Sequence, residues 1–579
     1  MKRVLALLAA LFLGAFGCAE SVNRPGEGEL EFAQAAQVDS LVAQELEPGG
    51  PGCAVAIFKD GAIAFKRGYG MANLDYRLPV TSATVFDIAS ISKQFTAACI
   101  LMLAERGELS LDDDIRRFIP EFPDYGTKIE IRHLIHHTSG IRDWVWLLAL
   151  AGMPFENILS RQDLYRLITR QKGLVFAPGD GYKYSNSGYN LLALIVERVT
   201  GMSFADFAAR EIFEPLGMKN TLIFDDRRMV VRNRAFGYIP DEDSGYCMEQ
   251  YFNPAILGSS NIHSTVEDLF LWDRNFYSNK VGPPDLAGKM ATQGRLNSGD
   301  TIDYAFGLEV RERRGLKTVS HEGDWAGFLS CMLRFPEQKF TVVCLANTQA
   351  FSPKALCYRI ADLCLADRYG QEVPSEPQEQ PVERIPVAVD PVLYDHYAGV
   401  YEADNGRKIT VKKENGRLMG RLPGRRKFEM LPCSESEFFL KERNVLVTFL
   451  RDERGQVSRL EWQQGQRTVA YVNLKNRPPT SQSPEKLAEY AGDYFSDELI
   501  VTYQVTAGED GLVLKTPIKS RYLMDLTGIT GSDPLRPLEK DKYRFAFMYL
   551  LFERNARGKV NGFTLIHEGA GLRMKFARN

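Results

Sequence analysis

Short, strictly apolar runs open the patterned part of the chain. Cys53-Ala-Val-Ala-Ile-Phe58, then Lys-Asp-Gly, then Ala62-Ile-Ala-Phe-Lys-Arg-Gly68 reads as strand, tight turn and strand. After it, the small and polar residues Ser90-Ile-Ser-Lys-Gln-Phe-Thr96 give way to an apolar run, Ala97 to Ala104, that ends at Gly107. Good helix formers closed by glycine predict a helix of roughly four turns. Ser90 would sit at its N-terminus, with Lys93 one turn on along the same face. A second buried helix is expected over Leu191 to Thr200, stopped by Gly201 and capped by Asn186 or Ser187. Residues 202–300 read mainly as helices and loops. Strand patterns return at Tyr304 to Val310, Thr318 to His321, Phe328 to Phe335 and Phe340 to Ala346, before a helix around Ala355 to Ala366. Strands at both ends with helices between them predict an α+β domain, residues 36–370, with one antiparallel sheet flanked by helices.

Beyond it the texture changes. Residues 371–390 are rich in Pro, Glu and Gln and read as an extended linker. Short alternating strands follow, with an internal repeat: Tyr397-Ala-Gly-Val-Tyr401 returns as Tyr490-Ala-Gly-Asp-Tyr494, across a second linker at 477–484. Each copy holds about eight strand-like stretches, enough to close a small antiparallel barrel and remove exposed sheet edges. Two tandem β-barrels, 391–476 and 485–579, are therefore expected.

The chain start adds a compartment. Met1-Lys2-Arg3 and the apolar stretch Val4 to Phe16 read as a secretory signal over residues 1–18, too short to span a membrane. It ends at Ala15-Phe16-Gly17-Cys18, which fits ordinary cleavage after small residues and equally a bacterial lipobox with an acylated Cys18; residues 19–35 would then be a tether. The expected place is outside the cytoplasm: periplasmic, lipid-anchored or secreted. Nine cysteines include no Cys-x-x-Cys, which argues against zinc or thioredoxin-like chemistry. In the hairpin around Pro336 to Lys339, pairing Phe335 with Phe340 sets Cys331 opposite Cys344, an oxidisable pair or, more simply, two small apolar core residues. With 45% hydrophobic and 25% charged residues and a net charge of −3, nothing points to nucleic acid, and a membrane is reached only through the lipid.

Candidate chemistry begins at Ser90-x-x-Lys93. A serine hydroxyl becomes nucleophilic only when a base takes its proton, and a lysine serves as that base only if burial or neighbours depress its pKa. The motif is short, and Ser483-Pro-Glu-Lys486 matches it too, so context has to decide. A Pro178-Gly179 loop leads through Tyr184-Ser-Asn186 into the second helix, and loops held by rigid helices often carry catalytic side chains. Three of the seven histidines, His133, His136 and His137, cluster without an acidic or cysteine partner at helical ligand spacing, and one side of a short helix accounts for them more simply than a metal.

The order Phe-x-Ile-x-Ser-x-Ser-Lys-Gln-Phe-Thr, His-His-Thr-Ser-Gly, Pro-Gly-x(4)-Tyr-Ser-Asn-x-Gly-Tyr-x-Leu-Leu, and His-x-Gly-x-x-x-Gly-Phe, spanning 86–328, resembles the serine β-lactamase and penicillin-binding-protein superfamily, in its class C-like branch of esterases and D-aminopeptidases. The resemblance covers roughly residues 45–370. It implies Ser90 as acylated nucleophile, Lys93 as proton acceptor, Tyr184 as proton shuttle, Asn186 as the residue that orients lysine and substrate, and His321 as a site residue. The backbone N–H groups of Ser90 and Asp324 would form the oxyanion hole, with Gly323 beside the substrate. No metal or organic cofactor is implied. Where β-lactamases have Lys-Thr-Gly, this chain has His321-Glu322-Gly323, which removes the permanent cation and disfavours carboxylate-bearing substrates. The two lipocalin-like barrels resemble the layout of a D-aminopeptidase in which a barrel loop enters the active site; Thr527 to Lys542 is the candidate loop, with Asp533 placed to meet an ammonium group. The expected reaction is hydrolysis of short D-amino-acid peptides, amides or esters. The alternatives are a penicillin-binding protein with D,D-carboxypeptidase or weak β-lactamase activity, and a non-catalytic binding module.

Overall fold

The computed structural model describes residues 32–579 except 156, 158, 242–243, 250–252, 370–383, 404–407, 423–426, 441–444, 465–466, 477–483, 509–510, 519–528 and 530. The signal sequence, Cys18, most of the tether and much of both linkers lie outside the described residues, as do Thr527 and most of its loop's N-terminal part.

Six strands form the central sheet: β1 (Cys53–Lys59), β2 (Ala62–Tyr69), β3 (Glu309–Arg313), β4 (Leu316–Trp325), β5 (Phe328–Phe335) and β6 (Phe340–Ala346). Their order is β3-β4-β5-β6-β1-β2, antiparallel throughout, so β1 from the start of the domain pairs with β6 from its end. Because side chains alternate across a strand, the two faces hold separate cores. Cys53, Val55, Ile57, Leu333, Val342 and Cys344 pack beneath the N-terminal helix Ala35–Ala43 and the helix Pro353–Cys364. On the other face Ala54, Ala56, Phe58, Val343 and Leu345 meet the long helices.

The first of those helices is Ser92–Glu105, with all residues from Ser92 to Leu103 buried. It stops as expected: Gly107 adopts φ +72°, its N–H bonds to Ala104 and that of Glu108 to Leu103, satisfying the last carbonyls. Phe95 stacks on Trp272 at 4.6 Å between centroids, a contact whose truncation to alanine would cost about 3–5 kcal/mol. Two expectations need correcting. Ser90 precedes the α-helix, in a 3-10 turn over Ala89–Ile91, because Ala89 takes φ +48°. Tyr304 to Leu308 is a turn rather than a strand, closed by the Ala305 N–H on the Leu308 carbonyl, and Gly307 in it has φ +69°.

Both barrels close with eight antiparallel strands each, Gly399–Asn473 and Gly492–Arg578 from first to last strand. The repeated pentapeptide has a physical use: the Tyr401 hydroxyl donates to the Tyr397 carbonyl at 2.8 Å, and Tyr494 donates to Tyr490 at 2.6 Å. Each tyrosine thus satisfies a carbonyl where a short helical turn becomes the first barrel strand. The barrels differ in attachment. The interior of the first is its own core, whereas that of the second is continuous with the core of the N-terminal domain.

Candidate active site

The turn that presents Ser90 is over-determined. Asp87 accepts the Ala89 N–H at 2.8 Å, the Ile88 N–H is held by Ile262, and Ser330 Oγ donates to the Ile88 carbonyl at 2.8 Å. These bonds hold a non-glycine residue at positive φ immediately before the serine. Ala89 and Ile91 are fully buried while Ser90 between them reaches the surface of the cleft.

Lys93 lies on the first turn of the helix and has no exposed surface. Its Nζ stands 2.9 Å from Ser90 Oγ, 2.8 Å from Asn186 Oδ1 and 2.8 Å from the Ser259 carbonyl. Burial brings its pKa down to about 7, with Asp143 pulling the other way. The neutral amine has two N–H donors and one lone pair. Asn186 Oδ1 and the Ser259 carbonyl can only accept, so they take both hydrogens, and the lone pair faces the Ser90 hydroxyl.

Asn186 opens the helix Asn186–Thr200. Its own amide is oriented by Asp143, whose Oδ2 accepts from Asn186 Nδ2 at 2.9 Å and from the Asn186 N–H at 3.1 Å. Tyr184, two residues earlier, sets its ring 4.9 Å from Lys93 Nζ, and burial raises its phenol well above the ordinary range. Its ring stacks on His137 at 4.3 Å. His137, at φ +58°, accepts the Ser185 N–H on Nδ1 at 3.1 Å and is kept neutral by burial.

His321 lies on the same face of β4 but turns toward Tyr304. Its Nδ1 is 2.5 Å from the Glu322 carbonyl and its Nε2 2.9 Å from Tyr304 Oη. Since the carbonyl only accepts, Nδ1 carries the proton and Nε2 accepts from the tyrosine. Burial lowers His321 to about 3, so the ring is neutral.

Two residues further, Gly323 permits close approach. A Cβ there would stand 2.5 Å from the Ile88 carbonyl and 2.3 Å from Ser330 Oγ. The turn between β4 and β5 has two residues, Ala326 and Gly327, both at positive φ, which makes Trp325 and Phe328 its bonded closing pair. Bonded pairs alternate along an antiparallel ladder, so Gly323 bonds to β5 and the Asp324 N–H points out of the opposite edge. β3 pairs only with Leu316 to Ser320, which leaves that edge open beside the Ser90 turn. The Asp324 side chain is exposed and accepts from Gln349 at 3.2 Å.

The structure therefore brings together Ser90, Lys93, Tyr184, Asn186, His321 and Gly323, with the Asp324 backbone at the rim. Asp533 is elsewhere: it is buried in the second barrel on Ser532–Glu539, opposite Leu514. The barrel reaches the rim with a different segment. Lys183, beside Tyr184, donates to the Gly569 carbonyl, His567 meets Trp146 edge-on at 4.6 Å, and Tyr503 donates to the Leu150 carbonyl at 2.7 Å. Asp143, His137, Ser259 and Tyr304 are the members the sequence reading missed. His137 lay inside the His-His-Thr-Ser-Gly motif without a role, and Asp143 left a local trace, a capping aspartate before the apolar Trp144–Leu150 helix, where its Oδ1 accepts the Val145 N–H at 2.9 Å.

The three clustered histidines do not share a helix face. The helix covers only Ile131–Ile135; His133 Nδ1 accepts the Glu130 N–H at its start, and His136 and His137 follow its end. Among the described residues no group of His, Cys, Asp and Glu is placed to hold a metal ion.

Comparison with known proteins gives the family and the fold. The Beta-lactamase family profile matches residues 38–364, and that of a domain of unknown function, DUF3471, matches 383–474. Penicillin-binding protein 4* of Bacillus subtilis strain 168 is 33% identical over 426 residues, 70% of this chain and 91% of its own. A D-aminopeptidase of Brucella anthropi is 24% identical over 538 residues, 89% of this chain and 93% of its own. Among solved structures, the octameric penicillin-binding protein homologue from Pyrococcus abyssi shares the fold, with a TM-score of 0.54 and 24% identity over 75% of this chain and 99% of its own.

Proposed function

The chain belongs to the beta-lactamase family of serine hydrolases, and from that premise we propose that it hydrolyses short D-amino-acid peptides, amides or esters through an acyl-enzyme on Ser90. The observation that carries the mechanism is the hydrogen inventory of Lys93: two obligate acceptors use its N–H groups and leave the lone pair on Ser90 Oγ. Ser90 Oγ adds to the substrate carbonyl as its proton passes to Lys93. The oxyanion is met by the N–H groups of Ser90 and Asp324. Burial keeps Tyr184 protonated at rest, its ring 4.9 Å from Lys93 Nζ, and it relays the proton from Lys93 to the leaving group. Water, activated by the same lysine, then releases the acid.

The substrate class rests on charge and on relatives. His321 is neutral, and Lys354 is tied to Glu322, its neighbour on β4. Neither group offers a free cation to a substrate carboxylate, while Asp143 is an acidic group acting on Lys93. Likeness to a D-aminopeptidase across 93% of that protein's length supports the same choice. A second reading, β-lactam-reactive D,D-carboxypeptidase, is favoured by the 33% identity to a penicillin-binding protein. The signal-like N-terminus supports an exported protein.

The test is a panel of D- and L-alanine p-nitroanilide, p-nitrophenyl acetate and a fluorescent penicillin, with wild type and Ser90→Ala. Turnover of the D-anilide or ester that vanishes in Ser90→Ala, with an acyl adduct on intact mass, supports the first reading. A stable penicillin adduct without anilide turnover selects the second. Folded wild type with neither adduct nor turnover overturns both.

A further inference from the structure

We infer that Asp143 is a positioning residue that aims the Lys93 lone pair at Ser90 by locking the Asn186 amide in one orientation. The inference rests on the acyl-enzyme reading above and assigns a role to a residue outside the sequence motifs.

An asparagine amide can present either its oxygen or its NH2 to a neighbour, and the choice inverts the hydrogen-bond logic. Here the choice is forced. A carboxylate only accepts; Asp143 Oδ2 faces Asn186 Nδ2 at 2.9 Å, so Asn186 Oδ1 must face Lys93, at 2.8 Å. The other carboxylate oxygen is fixed by the Val145 N–H at 2.9 Å, and Oδ2 also receives the Asn186 N–H at 3.1 Å. Asp143 thus clamps the starts of two helices, Trp144–Leu150 and Asn186–Thr200, against each other. Were the amide flipped, its NH2 would point at Nζ. Lys93 would then have to accept there, and its lone pair would be lost to Ser90.

The groups facing Lys93 are Asn186, the Ser259 carbonyl, Ser90, Tyr184, Tyr189, His137 and His321. Burial keeps the two tyrosines protonated and the two histidines neutral. Asp143 stands behind Asn186 as the acidic group acting on Lys93, and its pull holds Lys93 above where burial alone would set it.

The experiment follows phosphonylation of Ser90 by a fluorophosphonate, by intact mass, from pH 5 to 10. The variant is Asp143→Ser, which keeps a helix-capping side chain over Val145 but cannot reach Asn186. The expected result is a limiting rate about ten- to hundredfold lower, half-saturation unchanged, and an acid limb displaced downward by about one pH unit, since an attractive negative charge has been removed. Asn186→Ala and the double variant complete a cycle. If Asp143 acts through Asn186, adding Asp143→Ser to Asn186→Ala lowers the rate no further, an outcome that a purely structural loss of the cap does not produce. A limiting rate within twofold of wild type, an unmoved acid limb, or multiplicative effects in the cycle would overturn the inference. Absence of any wild-type adduct overturns the Ser90 reading itself, and this inference with it.

Discussion

Glu498→Ala should release the second barrel from the catalytic domain. Arg142 and Glu498 are 7% and 6% exposed and meet at 2.6 Å across the two units. The guanidinium also donates to Gln171 Oε1 at 2.9 Å and to the Arg573 carbonyl at 2.9 Å, while Glu498 additionally accepts the Lys172 N–H at 2.7 Å. Removing the carboxylate strands a buried cation and a backbone donor, a loss of about 3–5 kcal/mol, which weakens the docking equilibrium by about two to four powers of ten. The readout is fluorescence of Trp146, which packs on Phe547 and His567 of the barrel, followed through a urea titration against a Trp146→Phe reference. The undocking transition should move to lower urea in Glu498→Ala. Replacing the whole pair, Arg142→Met with Glu498→Leu, should recover most of the loss, because no uncompensated charge remains. Coincident transitions for wild type and Glu498→Ala would refute the reasoning. So would a double variant as unstable as the two single losses together.

Three other outcomes follow from the geometry. Lys93, with its pKa lowered to about 7 by burial, is the neutral base above that pH and protonated below it, so acylation should rise through about pH 7 to a plateau; a rate still climbing at pH 10 rules Lys93 out. Gly323→Ala sets a methyl against the immovable Ile88 carbonyl at 2.5 Å, so Ser90 labelling should drop by about a hundredfold or more while circular dichroism stays native. Tyr401→Phe leaves the Tyr397 carbonyl without its 2.8 Å donor, which should cost about 1–3 kcal/mol, measured as earlier melting of the first barrel with anilide or ester turnover unchanged.

Local pattern carried the architecture a long way, and the reason is periodicity. The unbroken apolar run of β1, the Gly107 stop and the Phe335–Phe340 hairpin are near-neighbour signals, and the last even gave the register that sets Cys331 opposite Cys344. The two thiols are not bridged: all cysteines among the described residues are free, and Cys53, Cys331, Cys344 and Cys357 lie in one buried core. That grouping comes from pairing of β1 with β6 and from packing of the Pro353–Cys364 helix on the sheet, which no hairpin rule contains. The site divides along the same line. Ser90 and Lys93 are one turn apart and readable together, but the Ser259 carbonyl is a backbone atom 166 positions from Lys93, and backbone acceptors leave no residue-type trace. Tyr304 sat inside an apparent strand, and only the backbone turn at Gly307, whose Cβ would strike the Lys93 carbonyl carbon at 2.5 Å, explains its placement. Asp533 failed because barrel register, rather than composition, decides which hairpin faces the partner domain.

The unequal attachment of the two barrels makes the first one a spacer. The second shares its core with the catalytic domain, and the first, lying between them in the chain, keeps a core to itself. Docking of the second barrel is therefore an intramolecular association, and the first barrel with its linkers sets the effective concentration at which it occurs. The first barrel is itself held where it meets the second, because Glu402, buried on its first strand, takes both guanidinium nitrogens of Arg536, so this contact and the faces around Arg142, Trp146 and the 567–571 hairpin are held to a fit.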